Sequence, residues 1–104
     1  MKLSEIFRRA ADMVSMIDFC GMCFALDMVS GCDGLYECQK ILKRFKPKGA
    51  GKKQYWIVIG DRDDYDNPKR FAKNAIKVDS AEEAQAKRKE ILLACAEIAE
   101  SEGL

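Results

Sequence analysis

Cys20, Cys23, Cys32 and Cys38 are four of the five cysteines and are spaced C-x2-C, x8, C, x5, C. Four thiolates are a legitimate tetrahedral zinc set, and a C-x-x-C pair is also the minimal dithiol redox unit. The spacing supports neither well. A structural zinc site places its ligands on two short polar or Gly-rich turns, whereas Cys23 sits in the apolar run FCGMCFAL and Cys38 follows a helical period. No strand-helix-strand pattern precedes the C-x-x-C. Free cysteine packs as a small hydrophobe, so the favoured reading is core thiols, with zinc on Cys20, Cys23, Cys32 and Cys38 left open.

Two other constellations carry chemical potential. KPKGAGKKQ brings Gly and Lys together in the manner of a phosphate-binding loop. It lacks the first glycine at the required spacing and the Ser or Thr after Lys, and no strand leads into it, so nucleotide hydrolysis is set aside. DRDDYDNP holds Asp61, Asp63, Asp64 and Asp66 and resembles an oxygen-rich cation site. An EF-hand would need Gly at the sixth position and a terminal Glu, so a polar turn with Asx caps is the better reading. The chain contains no histidine. That removes Ser-His-Asp and Cys-His nucleophilic catalysis, His-ligated metals and the commonest general base near neutral pH. No catalytic residue, metal ligand or cofactor is therefore assigned, and the chain is expected to be non-enzymatic.

Charge gives the sharpest signal. The net charge of +1 is divided unevenly, with six acidic and three basic residues in 1–38, and eleven acidic and eight basic in 54–104. Between them, 39–53 holds seven Lys or Arg and no acid. Such a run, followed at once by Tyr55 and Trp56, suits an acidic protein surface or a nucleic-acid backbone with aromatic stacking. The bland alternative is a solvated lysine loop that protects an edge strand from aggregation. The expected partner-binding surface is Lys43, Arg44, Lys46, Lys48, Lys52, Lys53, Tyr55 and Trp56.

The elements that must position this surface read as mainly helical. LSEIFRRAADMVSMID spaces Leu3, Ile6, Phe7, Ala10, Met13, Val14 and Ile17 as one buried stripe, with Ser4 as N-cap. A short helix from Met22 to Val29, apolar on most sides, should end at Gly31. Leu35, Cys38, Ile41, Leu42 and Phe45 mark a third helix, stopped by Pro47. QYWIVI, residues 54–59, is the one β-branched and aromatic run, and its pairing partner is not identifiable. Asn67-Pro68 suggests that PKRFAKNAIK opens a helix with Phe71 and Ala75 inward. Ser80 and Glu83 form a capping-box pattern at the start of a long last helix, closed by Gly103. The expected core is Ile6, Phe7, Ala10, Val14, Ile17, Phe24, Leu26, Leu35, Cys38, Leu42, Ile91, Leu92, Cys95 and Ile98.

The 104 residues fit one domain, 1–104. No apolar run reaches the roughly 20 residues that span a bilayer, and the first residues do not follow a signal-peptide pattern. An odd cysteine count in such a chain argues for reduced thiols, so a cytoplasmic location is expected.

LSEIFRRAADMV, CGMCFAL, LKRFKPKG, QYW and RKEILLACAEIAESEG together resemble small proteins of unknown function encoded by tailed bacteriophages and prophages. The resemblance spans most of the chain but not the Asp-rich stretch or NPKRFAKNAI, and it carries no site residues. It implies an accessory protein in the host bacterial cytoplasm. The combined expectation is a compact, mainly α single-domain bundle of four or five helices, with room for one short β element near 54–59. It would bind and inhibit or modulate a host protein, for instance one of a host defence system. A nucleic-acid-binding protein using the 40–53 patch and a protein sequestering an anionic nucleotide-like ligand are the alternatives. A homodimer is left open, and no membrane contact is expected.

Overall fold

The computed structural model describes residues 1–16, 21–44, 55–58, 69 and 75–104. Among the described residues the chain forms helix α1 (Leu3–Met16), helix α2 (Met22–Leu42), strands β1 (Tyr55–Val58) and β2 (Ala75–Val78), and helix α3 (Ala81–Ser101).

The stripe of α1 buries Ile6, Phe7, Ala10 and Val14, three and four residues apart. The helix begins slightly earlier than the sequence suggests. Lys2 supplies the carbonyl that accepts the Ile6 N–H at 3.1 Å, so Ser4 lies inside the first turn and is not the cap. Its own N–H donates to the Leu104 carbonyl at 3.3 Å, which joins the start of α1 to the end of α3.

The second and third expected helices are one element, α2, broken at Gly31. That residue adopts φ 75°, ψ −176°, a conformation open almost only to glycine. The signal for termination at Gly31 was thus physically correct, but the chain re-enters a helix at once, without a loop. The helix count among the described residues is accordingly three, not four or five. Three residues on, Gly34 leaves room for a neighbouring side chain: a Cβ there would lie 2.2 Å from Ser30 Oγ and 3.5 Å from Ile6 Cδ1. Ser30 Oγ occupies that space while donating to the Leu26 carbonyl at 2.8 Å.

The expected strand at QYWIVI is β1, and its partner is β2. The two are antiparallel, with Tyr55 opposite Val78, Trp56 opposite Lys77 and Ile57 opposite Ile76. This overturns part of the helix expected over 68–77, because Ala75 and the residues after it are extended. Ile76 and Val78, two residues apart, are both buried, as strand alternation requires of a face laid on a core. A lone two-stranded ribbon is marginal in water, and here it rests on α3. Asn67-Pro68, Phe71 and Ile59 lie outside the described residues.

α3 is the best-defined element from both directions. Ser80 Oγ accepts the Glu83 N–H at 3.0 Å, and the Glu83 carboxylate reaches back to the Asp79 N–H at 3.0 Å, one residue beyond the usual capping-box partner. At the far end Gly103 has φ 76°, and the Leu104 N–H donates to the Ala99 carbonyl at 2.8 Å, closing the helix. Between the caps Ala84, Ile91, Leu92, Cys95, Ala96 and Ala99 are buried. Among the described elements the most extensive packing is α1 against α3, and Gln85 Nε2 fastens it by donating to the Val14 carbonyl at 2.8 Å.

Helices α1, α2 and α3 and strand β2 share one hydrophobic cluster. Most of the expected core lies in it, with Leu35 and Ile98 at its edge. Phe24 does not: it is 57% exposed, and the inward positions of that stretch are Met22, Ala25 and Leu26. Ile17 lies outside the described residues.

Candidate functional site

Of the expected binding surface, Lys43 and Arg44 at the C-terminal end of α2 and the backbone of Tyr55 and Trp56 in β1 are described. Leu42 ends the helix and is buried, and Lys43 caps it by donating its N–H to the Gln39 carbonyl at 3.0 Å. Lys43 and Arg44 are exposed. The first part of the basic run is fixed to the fold, since the buried residues Ile41 and Leu42 lie beside Lys40, Lys43 and Arg44.

Arg44 is not simply a solvated cation. Its Nη2 donates to Glu102 Oε1 at 3.1 Å and its Nη1 to Oε2, a bidentate fork across the end of α3. This hydrogen bond and the opposite charge raise the Arg44 pKa and hold the Glu102 carboxyl below its ordinary value. Arg44 thus serves a structural purpose, tying the first part of the basic run to the C-terminal turn. Sequence reasoning counted it among the partner-binding residues and missed Glu102, which is 58 residues away and has no local signal.

Lys46, Lys48, Lys52 and Lys53 lie outside the described residues. Tyr55 and Trp56 are placed as backbone in β1, opposite Val78 and Lys77. Because β1 rests on α3, the run between Arg44 and Tyr55 is anchored at both ends to the same helix, by the Glu102 fork and by the ribbon.

The cysteines occupy different environments. Cys38 on α2 and Cys95 on α3 are fully buried, and burial pushes each thiol up to about 12, with a further rise at Cys95 from the neighbouring Cys38. Such thiols are protonated and inert as nucleophiles or ligands at neutral pH. Cys23 is half-buried and accepts a long hydrogen bond from Gln39 Nε2 at 3.7 Å, while Cys32 is exposed. Among the described residues no three His, Cys, Asp or Glu side chains converge as a metal site. Cys20 lies outside them, as do KPKGAGKKQ and the Asp61–Asp66 run.

The surface also holds residues that periodicity placed inside or ignored. Phe24, Met28 and Tyr36 are 57%, 58% and 62% exposed along the outer side of α2. Comparison with protein-family models, with curated proteins and with solved structures finds no match. Among the described residues no helix is long and apolar enough to cross a membrane.

Proposed function

We propose that this chain is a non-enzymatic binding protein that uses the basic run 39–53 to occupy an acidic surface of a host protein, as a phage or prophage accessory factor would. The observation that carries this reading is the run itself, seven Lys or Arg without one acid in a chain of net charge +1. So local a concentration, in a chain otherwise net negative on both sides, favours a directed contact over general polyanion affinity. Its flanks add support: Arg44 is held by Glu102 and β1 pairs with β2 against α3, and a segment with fixed flanks loses less conformational entropy on binding than a free tail. The phage resemblance supplies the biological setting. Inhibition or modulation would follow from stoichiometric occlusion of the covered surface, with Lys43, Lys46, Lys48, Lys52, Lys53, Tyr55 and Trp56 as the contact and Arg44 as its brace.

The experiment is capture of partners from host extract by tagged protein, with and without nuclease. The comparison is the Lys46→Glu, Lys48→Glu, Lys52→Glu, Lys53→Glu variant, checked for an unchanged helical spectrum. A defined protein retained after nuclease and lost in the variant is the expected result. Recovery of nucleic acid alone overturns the reading in favour of backbone binding, and equal capture by both forms removes the run from the interface.

A further inference from the structure

We infer that the Arg44–Glu102 fork is an autoinhibitory contact, in which the chain's own C-terminal turn holds a cation of the basic run that an acidic partner must win from it. The inference rests on the reading of 39–53 as a surface for acids. That run contains no acidic residue, so a carboxylate that reaches it comes from elsewhere in the chain or from another molecule. Among the described residues, two of its cations are met by acids of the fold: Lys40 by Glu37 at 3.0 Å and Arg44 by Glu102. The first is a local pair one turn apart on α2. The second joins residues 58 apart, and both Glu102 oxygens accept, one from Nη1 and one from Nη2. This edge of the guanidinium is the one that recognises carboxylates two bonds at a time, whichever molecule carries them. It holds one carboxylate at once, so Glu102 and a partner's acid exclude each other there.

The surroundings allow the exchange. The Arg44 and Glu102 side chains are 50% and 40% exposed, so an incoming carboxylate meets the guanidinium from solvent. An ion pair this exposed is weak in water and can be displaced. Neither backbone depends on it. The Lys43 N–H donates to the Gln39 carbonyl and the Arg44 N–H to the Ile41 carbonyl, each at 3.0 Å, while the Glu102 N–H donates to the Ile98 carbonyl at 3.1 Å and the Leu104 N–H to the Ala99 carbonyl at 2.8 Å. Both helix ends therefore stay in place when the side chains part, and the released Glu102 carboxylate is solvated where it stands. The brace of the free protein and the competitor of its partner are the same contact.

The test is calorimetric titration of the full chain with poly-L-glutamate at low salt. Glu102→Gln should bind about two- to fivefold more tightly than wild type, the range that an exposed pair is worth. Glu100→Gln removes the same charge from the same end of α3, where Glu100 pairs with Arg8 outside the run, and measures the effect of net charge alone. The gain from Glu102→Gln should exceed it. In an Arg44→Gln background that excess should vanish. The inference is overturned by a Glu102→Gln gain no larger than that of Glu100→Gln, by an excess that persists without Arg44, or by a wild type that does not bind the probe. Failure of the underlying reading has its own mark, undiminished binding by the Lys46→Glu, Lys48→Glu, Lys52→Glu, Lys53→Glu variant. Binding lost in that variant but indifferent to Glu102→Gln removes the autoinhibitory contact alone.

Discussion

Arg44 and Glu102 show how a charge that looks available in the sequence is already committed in the fold. The Glu102 carboxyl is held below its ordinary value of 4.5 chiefly by the hydrogen bond from Arg44. A carboxylate with a depressed folded pKa contributes stability that is present above the unfolded value and lost as pH falls through the folded one. Thermal unfolding of the wild type and Arg44→Ala should therefore differ at neutral pH and converge as the medium is acidified below 4.5. A difference that is unchanged by acid would mean that the fork is not formed. The buried thiols work in the opposite direction. Cys38 and Cys95 rise from 9.0 to about 12 on folding, so between those values the unfolded chain releases protons that the folded chain keeps. Stability is complete below pH 9 and should then decline by about 1.4 kcal/mol per pH unit for each thiol. Urea unfolding at successive alkaline pH values checks this, and the decline should shrink in Cys38→Ala with Cys95→Ala. At neutral pH a thiol reagent should modify Cys32 quickly, and Cys38 and Cys95 only after denaturation.

At the scale of elements, α2 depends on its glycines. Gly31 holds a conformation that costs any other residue about 1–3 kcal/mol, so Gly31→Ala should lower stability by that amount in urea titration. An unchanged midpoint would show that the break can relax into a straight helix. The same element explains why parts of the fold were hard to read. α3 was legible because a capping pattern, a 3.6-residue period and a closing glycine agree over its whole length. The stretch Met22–Val29 is apolar at nearly every position, so periodicity could not choose a face, and Phe24 was placed inside although Ala25 and Leu26 are the inward pair. β2 was misread for a different reason. Four residues, AIKV, are too few to show alternation, and their conformation is fixed by pairing with β1 and by the α3 surface beneath. Information of that kind is non-local and is not written in the segment.

At the scale of the molecule, the three helices and the ribbon among the described residues pack round one core, and the first basic residues of 39–53 stand at its edge. The basic run was visible in the sequence as a charge block, because net charge over a window needs no structure to be read. What the sequence did not show was how its ends are fixed, at Arg44 by Glu102 and at Tyr55 by the ribbon on α3. On the proposed reading, this run recognises an acidic protein surface. It is tested most directly by the affinity of the nuclease-treated captured partner for wild type and for the Lys46→Glu, Lys48→Glu, Lys52→Glu, Lys53→Glu variant, each followed from low to high salt. The expected result is a loss of at least about tenfold, or 1.4 kcal/mol, in the variant, with only a moderate salt dependence in the wild type. Equal affinity of the two forms, or a steep salt slope of the kind produced by counterion release from nucleic acid, would contradict it.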